Sequence, residues 1–331
     1  MPKFLIIRFS SIGDIVLTTP VIRCLKTQVP DAEVHFLTRH SFKAILEHNP
    51  YIDHLHLMKD DLSVVIKNLQ AYKFDYIIDL HHNLRTLRVK RGLHAPHFSF
   101  NKLNIEKWMA TALKINRLPA VHIVDRYMAT LESFGVVNDG LGLNYFLATE
   151  DLVKTSDIPT SHSAGYIGVV IGAALATKKM PIHKLKEICA GINHPIILLG
   201  GPEDKAAGEE IAAIDNIKIY NACGKFKLNE SADLVKKARF IISHDTGLMH
   251  IAAAFQKPII SMWGNTIPAF GMGPYYGHQA VKHQGFEVQG LRCRPCSKIG
   301  YKKCPKGHFK CMELQSVPGI IATAHQWIEA K

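Results

Sequence analysis

Five short stretches hold residue types that could do chemistry, and each needs a particular local structure to do it. The hexapeptide DTGLMH, residues 245–250, lies between a strand-like run, RFIIS, and a helical one, LMHIAAAF. Thr246 and Gly247 would then open a helix, where backbone N–H groups lack intrahelical acceptors and attract an anion. Gly247 has no Cβ to hold an oxyanion away. His250, four residues after Thr246, falls on the same helical face and can donate to the same anion. Asp245 reads either as a plain N-cap or as part of that binding site. The stretch GAALATKKMP, 172–181, follows the strand-like YIGVVI, and its Lys178 and Lys179 can bring ammonium charge to a phosphate. A lysine pair equally makes a solvated face. LLGGPED, 198–204, ends a strand in two glycines and an acid, which suits a nucleoside, with Glu203 or Asp204 accepting from ribose hydroxyls. Any tight turn has the same composition.

The fourth stretch is RFSSIGDIVLTTP, 8–20, where an apolar run turns into a helix. Phosphate-binding corners of this kind carry several glycines; this one has Gly13 alone, and beside it stands Asp14, which repels a phosphate. Asp14 therefore serves either another chemistry or the helix N-terminus. Neither G-x-G-x-x-G at a strand-to-helix corner nor G-x-x-x-x-G-K-[ST] occurs, which argues against an NAD-type dehydrogenase and a P-loop kinase. The fifth stretch, CRPCSKIGYKKCPKGHFKC, spaces Cys293, Cys296, Cys304 and Cys311 as C-x2-C-x7-C-x6-C, with His308 between the last two. Four thiols this close suit a structural tetrahedral zinc, although the spacing departs from a paired C-x2-C ribbon. Free or redox-active thiols and disulfides stay open beside it.

The elements that must position these residues follow from hydrophobic periodicity. KFLIIRF, EVHFL, HLHLM and DYIIDLH alternate with amphipathic segments, and such apolar runs predict a parallel sheet covered on both faces. Pro20 predicts a kink or a late helix start. The Ser- and Thr-rich 148–166 reads as a linker. The alternation then restarts from YIGVVIG through KPIISMWG, predicting a second doubly wound α/β domain, and PGIIATAHQWIEA reads as a terminal amphipathic helix. A chain of 331 residues suits two domains.

Lys and Arg number 40 against 28 Asp and Glu, a formal charge of +12, which favours anionic partners. No run approaches the ~20 apolar residues of a spanning helix. The apolar run at the N-terminus is too short for a signal peptide. The expected location is cytoplasmic. Seven cysteines, an odd number, fit a reducing compartment without a disulfide framework.

With these residues in place, the chain resembles glycosyltransferase family 9, the ADP-heptose:lipopolysaccharide heptosyltransferases. The resemblance is collinear over almost the whole chain. It rests on RFSSIGDIVLTTP, DLHHNLR at 79–85, GAALATKKMP, LLGGPED and ISHDTGLMHIAAAFQKPIISMWGNTIP at 242–268. It implies a GT-B architecture: two Rossmann-like domains facing across a cleft, acceptor-binding over 1–155 and nucleotide-sugar-binding over 163–317, with a helix over 318–331 returning to the first. It also implies that Asp14 is the general base, taking the proton of an acceptor hydroxyl, with Ser11, Gly13, Asn83 and Arg85 on the acceptor side. Lys178, Glu203, Asp245, Thr246, Gly247 and His250 would hold the donor. Two departures stand out: Met180 replaces the aromatic residue of the family's basic-Trp-Pro motif, and Ala173 and Ala174 stand where hydroxyl residues are common.

The function expected is therefore inverting transfer of heptose, or a related sugar, from a nucleotide diphosphate donor such as ADP-heptose to an anionic lipopolysaccharide core-type glycolipid. A helix N-terminus and basic side chains can stabilise the leaving diphosphate, so no catalytic cofactor or metal is expected, and zinc only as a structural candidate. The basic run from Lys282 to Lys310 could meet the acceptor or the inner face of the inner membrane. Two other readings compete: a basic nucleic-acid-binding protein with a zinc module, and a sugar-nucleotide epimerase of the same build. Under the leading reading no nucleic-acid partner is expected.

Overall fold

Strands made of Ile, Val, Leu and Phe with no polar alternation bury both faces, and the chain builds two such sheets. The structure, a computed structural model, describes residues 1–59 and 61–330. It divides into two units. The first comprises residues 1–102, 121–148 and 275–279; the second comprises 103–120, 149–274 and 280–331.

In the first unit β1 (Lys3–Ile7), β2 (Glu33–Arg39), β3 (His54–Met58), β4 (Tyr76–Asp79) and β5 (His97–Ser99) form a sheet in the order β3-β2-β1-β4-β5. In the second, β6 (Ile167–Val170), β7 (Ile196–Leu199), β8 (Ile219–Asn221), β9 (Ile241–His244), β10 (Ile259–Trp263) and β11 (His283–Glu287) run in the order β8-β7-β6-β9-β10-β11. Every pairing in both sheets is parallel. The strand order reverses between β1 and β4 in one sheet and between β6 and β9 in the other. At such a reversal successive connections leave towards opposite faces and open a crevice at the carboxyl ends of the strands. The loops after β1, β4, β6 and β9 therefore lie at the two places where a ligand can enter.

Both cores sit under these sheets. Leu5, Ile7, Leu37 and Ile77 share one buried cluster with Leu69 and Val89 from the covering helices. Ile167, Val169, Ile196 and Ile242 share another with Leu185, Ile188 and Ile211. The expected break at Pro20 is present. A first helix covers Ile12–Val16, and a second begins at Thr19 with Pro20 in its first turn, where the missing N–H costs nothing.

Three features depart from expectation. The terminal helix Val317–Glu329 packs within the second unit rather than returning to the first. Its Ile320 and Ala324 join the second core, Trp327 meets Phe240 edge-on at 5.5 Å, and Gly191 leaves the space that Ile321 fills. The Ser- and Thr-rich 148–166 is no free linker: Val153 N–H donates to Asp233 Oδ2 at 2.9 Å, and Lys237 Nζ donates to Val153 O at 2.7 Å. Residues 275–279, far along the chain, belong to the first unit, where His278 N–H donates to Gly140 O at 2.8 Å. Among the described residues no helix is long and apolar enough to cross a membrane.

Candidate functional site

At the first crevice, Ser11 is the N-cap of the helix Ile12–Val16 and Asp14 is its third residue. Asp14 Oδ2 accepts from Ser11 N–H at 3.1 Å and from Ser11 Oγ at 2.8 Å, which closes the corner as a capping box. Gly13 sits between them, buried. The other oxygen, Oδ1, pairs with Arg8 Nη2 at 2.8 Å. Arg8 is itself buried, donates to Ser10 O and Leu80 O, and lies 5.9 Å from the Tyr127 ring centroid. Burial opposes its charge, but the neighbouring Asp14 carboxylate outweighs that and raises the Arg8 pKa. The carboxylate is thus held from both sides while keeping partial exposure, fixed in place rather than floating.

The loop after β4 brings a residue that sequence reasoning missed. His81 stacks edge-on against Phe9 at 5.3 Å, and its buried Nδ1 has no hydrogen-bond partner among the described residues. Burial, with Arg8 and Lys102 nearby, pushes its pKa down to about 4, so it is neutral at pH 7. Its presence in DLHHNLR was visible; its burial was not. Asn83 is the N-cap of the helix Leu84–Leu93, its Oδ1 accepting from Arg85 N–H at 2.9 Å and Thr86 N–H at 3.0 Å. That oxygen is committed to the helix start. Arg85 and Arg88, one turn apart, line an open cleft of about 870 Å³ with Arg39, His40, Lys59 and Asp61. Among the described residues, cations outnumber the one acid there.

At the second crevice, Thr246 is the N-cap of the helix Gly247–Ala254, and its side chain makes no capping bond. The first-turn N–H groups from Gly247 onward point out of the helix end. Asp245 is not the cap. Its Oδ2 accepts from Thr266 Oγ1 at 2.9 Å and pairs with Lys178 Nζ at 2.6 Å, and Lys178 also donates to Asp245 O at 3.3 Å. Asp245 therefore fixes an ammonium group beside the helix N-terminus, with the carboxylate 8% exposed. His250 is buried on the same helix. Lys179 pairs with buried Asp204 at 2.5 Å, and Asp204 also accepts from Gly201 N–H at 3.0 Å. That leaves exposed Glu203 as the acid of the β7 loop open to a ligand. Met180 is buried, and its N–H donates to His244 Nε2 at 3.0 Å. It fills core, which is why no aromatic residue stands in the crevice at this position. Ala173 is half-buried and Ala174 exposed on the same loop.

The loop after β10 adds a second residue that the sequence did not single out. Asn265 is 1% exposed, and neither its carboxamide oxygen nor its nitrogen has a partner among the described residues. An unpaired buried amide costs free energy, so Asn265 is a natural receiver for a bound polar group. Gly264 before it is required by packing, since a Cβ there would lie 2.7 Å from Thr177 O.

The cysteine loop is stitched to this crevice. Thr177 N–H donates to Tyr301 O at 3.2 Å, Tyr301 N–H to Thr177 Oγ1 at 2.8 Å, and Arg294 Nε to Gly264 O at 2.7 Å. All four cysteines are free thiols. Cys293 Sγ lies 3.8 Å from His308 Nε2. Burial, with the other three thiols as neighbours, pushes Cys311 up to about 11. Among the described residues, the one set of three metal-type side chains with ligand atoms all within 4.8 Å is Glu33, His35 and His54, on the first sheet, not the cysteines.

Residues 63–300 match the family described as Glycosyltransferase family 9 (heptosyltransferase). The chain belongs to glycosyltransferase family 9. It is a glycosyltransferase, related to the heptosyltransferases of lipopolysaccharide core biosynthesis, and neither the nucleic-acid reading nor the epimerase reading is needed. It is 28% identical over 299 residues to lipopolysaccharide heptosyltransferase 1 of Campylobacter coli, covering 80% of this chain and 84% of that one. It is 26% identical over 281 residues to lipopolysaccharide heptosyltransferase 3 of Escherichia coli K12, covering 78% and 81%. The family's fold is shared in solved structures. The family 9 glycosyltransferase of Veillonella parvula superposes with a TM-score of 0.78 at 23% identity, covering 100% of this chain and 98% of that one. E. coli heptosyltransferase WaaC with ADP gives 0.71 at 19% identity, covering 98% and 99%. The two parallel sheets are those of the GT-B fold.

The buried histidines of this family 9 chain give it a defined pH response. Burial, with Lys179 beside it, lowers the His244 pKa to about 4. The unfolded imidazole takes a proton near pH 6.5 and the folded one only near 4, so stability present above about pH 6.5 is lost as pH falls towards 4. The urea midpoint should therefore fall between about pH 7 and pH 5, and the fall should be shallower in His244→Gln. An equal fall in the variant would remove His244 from the account.

Proposed function

We propose that this chain transfers a heptose, or a closely related sugar, from an ADP-linked donor to a hydroxyl of an anionic lipopolysaccharide core-type acceptor, with inversion at the anomeric carbon. The second crevice takes the donor. First-turn N–H groups at Thr246 and Gly247, with Lys178 and His250, bind the diphosphate; Glu203 accepts from the ribose, and Asn265 pairs with a polar group of the donor. Asp245 acts by holding Lys178 in place. The first crevice takes the acceptor, with Ser11 and Gly13 shaping the corner and Arg85 and Arg88 meeting its negative charge. Asp14 removes the proton from the acceptor hydroxyl as that oxygen bonds to the anomeric carbon. The bond from that carbon to the β-phosphate oxygen breaks, and its electron pair leaves with ADP. One displacement needs one catalytic carboxylate, in contrast to the two of a retaining glycosidase.

The observation that carries this reading is Lys178 clamped by Asp245 beside the uncapped start of the helix Gly247–Ala254, at the reversal of the second sheet. A fixed cation next to free N–H groups is built for a leaving diphosphate. Structures of WaaC with ADP and with ADP-2-deoxy-2-fluoro heptose, on the same fold, are consistent with an ADP-linked donor.

Asp14→Asn should lower turnover by about a hundred- to ten-thousand-fold while donor affinity stays within a few-fold. Retained turnover would refute the base. Among ADP, UDP and GDP, ADP should raise the melting temperature most, through binding to the folded state alone, and EDTA should leave transfer unchanged. Loss of transfer with EDTA, restored by a divalent cation, would replace the helix N-terminus with a metal.

A structural zinc on Cys293, Cys296, Cys304 and Cys311 suits this donor set. Burial raises the Cys296 and Cys311 thiols without a cation, the state from which metal binding releases protons. Protein purified without chelator should then hold one zinc, and stripping it should lower the melting temperature through the loop that holds Thr177 beside Lys178. A metal content of zero would dispose of it. A glycolipid acceptor further implies a protein that works at a membrane surface, on the inner face of the inner membrane, without spanning it.

A further inference from the structure

The second unit carries an apolar surface that neither crevice uses. A helix over Asn104–Trp108 continues as a wider helical turn over Met109–Leu113. Leu103 and Ala110 point inward and are buried. Ile105 at 71%, Trp108 at 57% and Leu113 at 51% are exposed along the helix, and Ile115, just past its end, at 46%. Ile105 and Trp108 stand three residues apart on one helical face.

A second segment adjoins it. Lys298 Nζ donates to Asn104 Oδ1 at 3.4 Å, and Lys114 Nζ donates to Pro295 O at 2.7 Å. These contacts bring the helix against the cysteine loop, whose Ile299 and Tyr301 are 63% and 42% exposed. Scattered exposed apolar residues are ordinary on any protein; six on two adjoining segments of one unit form a patch, and patches mark interaction surfaces.

The charge around the patch identifies the partner. Residues 291–310 contain seven Lys and Arg and no Asp or Glu. Arg117, Lys298, Lys302 and Lys303 are exposed. An amphipathic element with a tryptophan on its apolar side and cations around it matches the headgroup–acyl boundary of an anionic bilayer, where the ring sits among the headgroups and the cations meet lipid phosphate. A water-filled cleft or a protein of mixed charge has no use for both features together.

We propose that the face formed by Ile105, Trp108, Leu113, Ile299 and the lysines of the cysteine loop docks this glycosyltransferase on an anionic phospholipid surface. The inference deepens the glycolipid-acceptor reading above by naming the surface that brings the enzyme to its substrate. No helix need enter the bilayer core, in keeping with the absence of a spanning helix among the described residues.

The chain supplies its own probe. Of its three tryptophans, Trp263 is fully buried and Trp327 packs on Phe240, so Trp108 is the one that reports on an added surface. The full-length protein is mixed with phosphatidylglycerol–phosphatidylcholine vesicles and with phosphatidylcholine vesicles alone. It should sediment with the first and not the second, with a blue shift of tryptophan emission that high salt abolishes. The double variant Ile105→Ser/Trp108→Ser should bind the anionic vesicles about tenfold more weakly or worse, and Lys302→Glu/Lys303→Glu should weaken binding without removing the patch. Both variants should keep wild-type turnover on a delipidated, water-soluble acceptor.

Vesicle binding equal in all three proteins, or none in the wild type, overturns the proposal. So does a concentration-dependent dimer that the serine variants abolish in the absence of lipid, since a second copy would then occupy the face. If the wild type binds anionic vesicles but transfers no sugar to the soluble acceptor, the docking face stands and the acceptor reading falls.

Discussion

A parallel strand can hand its chain to the next loop at only one edge of a sheet, and both sheets here are wholly parallel. Everything chemical in this protein follows from that constraint. Loops after β1 and β4 meet at one reversal of strand order, and loops after β6 and β9 at the other. The corner carrying Asp14, the loop carrying His81, the turn carrying Lys178 and the helix start at Thr246 are the segments placed at those positions. The crevices need no special folding device beyond the strand order itself.

The two crevices are equipped with opposite chemistry. In the first, a carboxylate is held by the buried Arg8 and by the Ser11 cap; in the second, a carboxylate is used up in holding Lys178. A base and a diphosphate would repel each other if both relied on one corner. Asp14 stands on one unit and the Lys178–Thr246 corner on the other, so under the roles proposed above the two would not compete for one corner, and a single glycine would suffice at residues 8–20. The cysteine loop is tied to the second crevice through hydrogen bonds to Thr177 and Gly264.

Much of this was legible in the residues. Apolar runs without alternation showed two buried parallel sheets, Pro20 marked the late helix start, and the order of motifs along the chain pointed to the family. What escaped depends on contacts between distant positions. Asp245 looks like a cap locally, and only the fold brings Thr266 and Lys178 to it. Asn83 stands two residues before Arg85, yet its oxygen serves the helix. His81 and Asn265 are unremarkable until burial strips them of water. The terminal helix has an apolar stripe that could cover either unit, and the choice lies in the space above Gly191. The polar composition of 148–166 suggested a linker because composition does not show that Asp233 and Lys237 hold Val153.

The most direct test of the central claim is a crystal structure of the protein with ADP bound. The account predicts the β-phosphate at the start of the helix Gly247–Ala254, within hydrogen-bond reach of its first N–H groups and of Lys178, with the ribose beside Glu203. An ADP whose phosphates rest at the corner of Ser11 and Asp14, leaving the helix start empty, would contradict it.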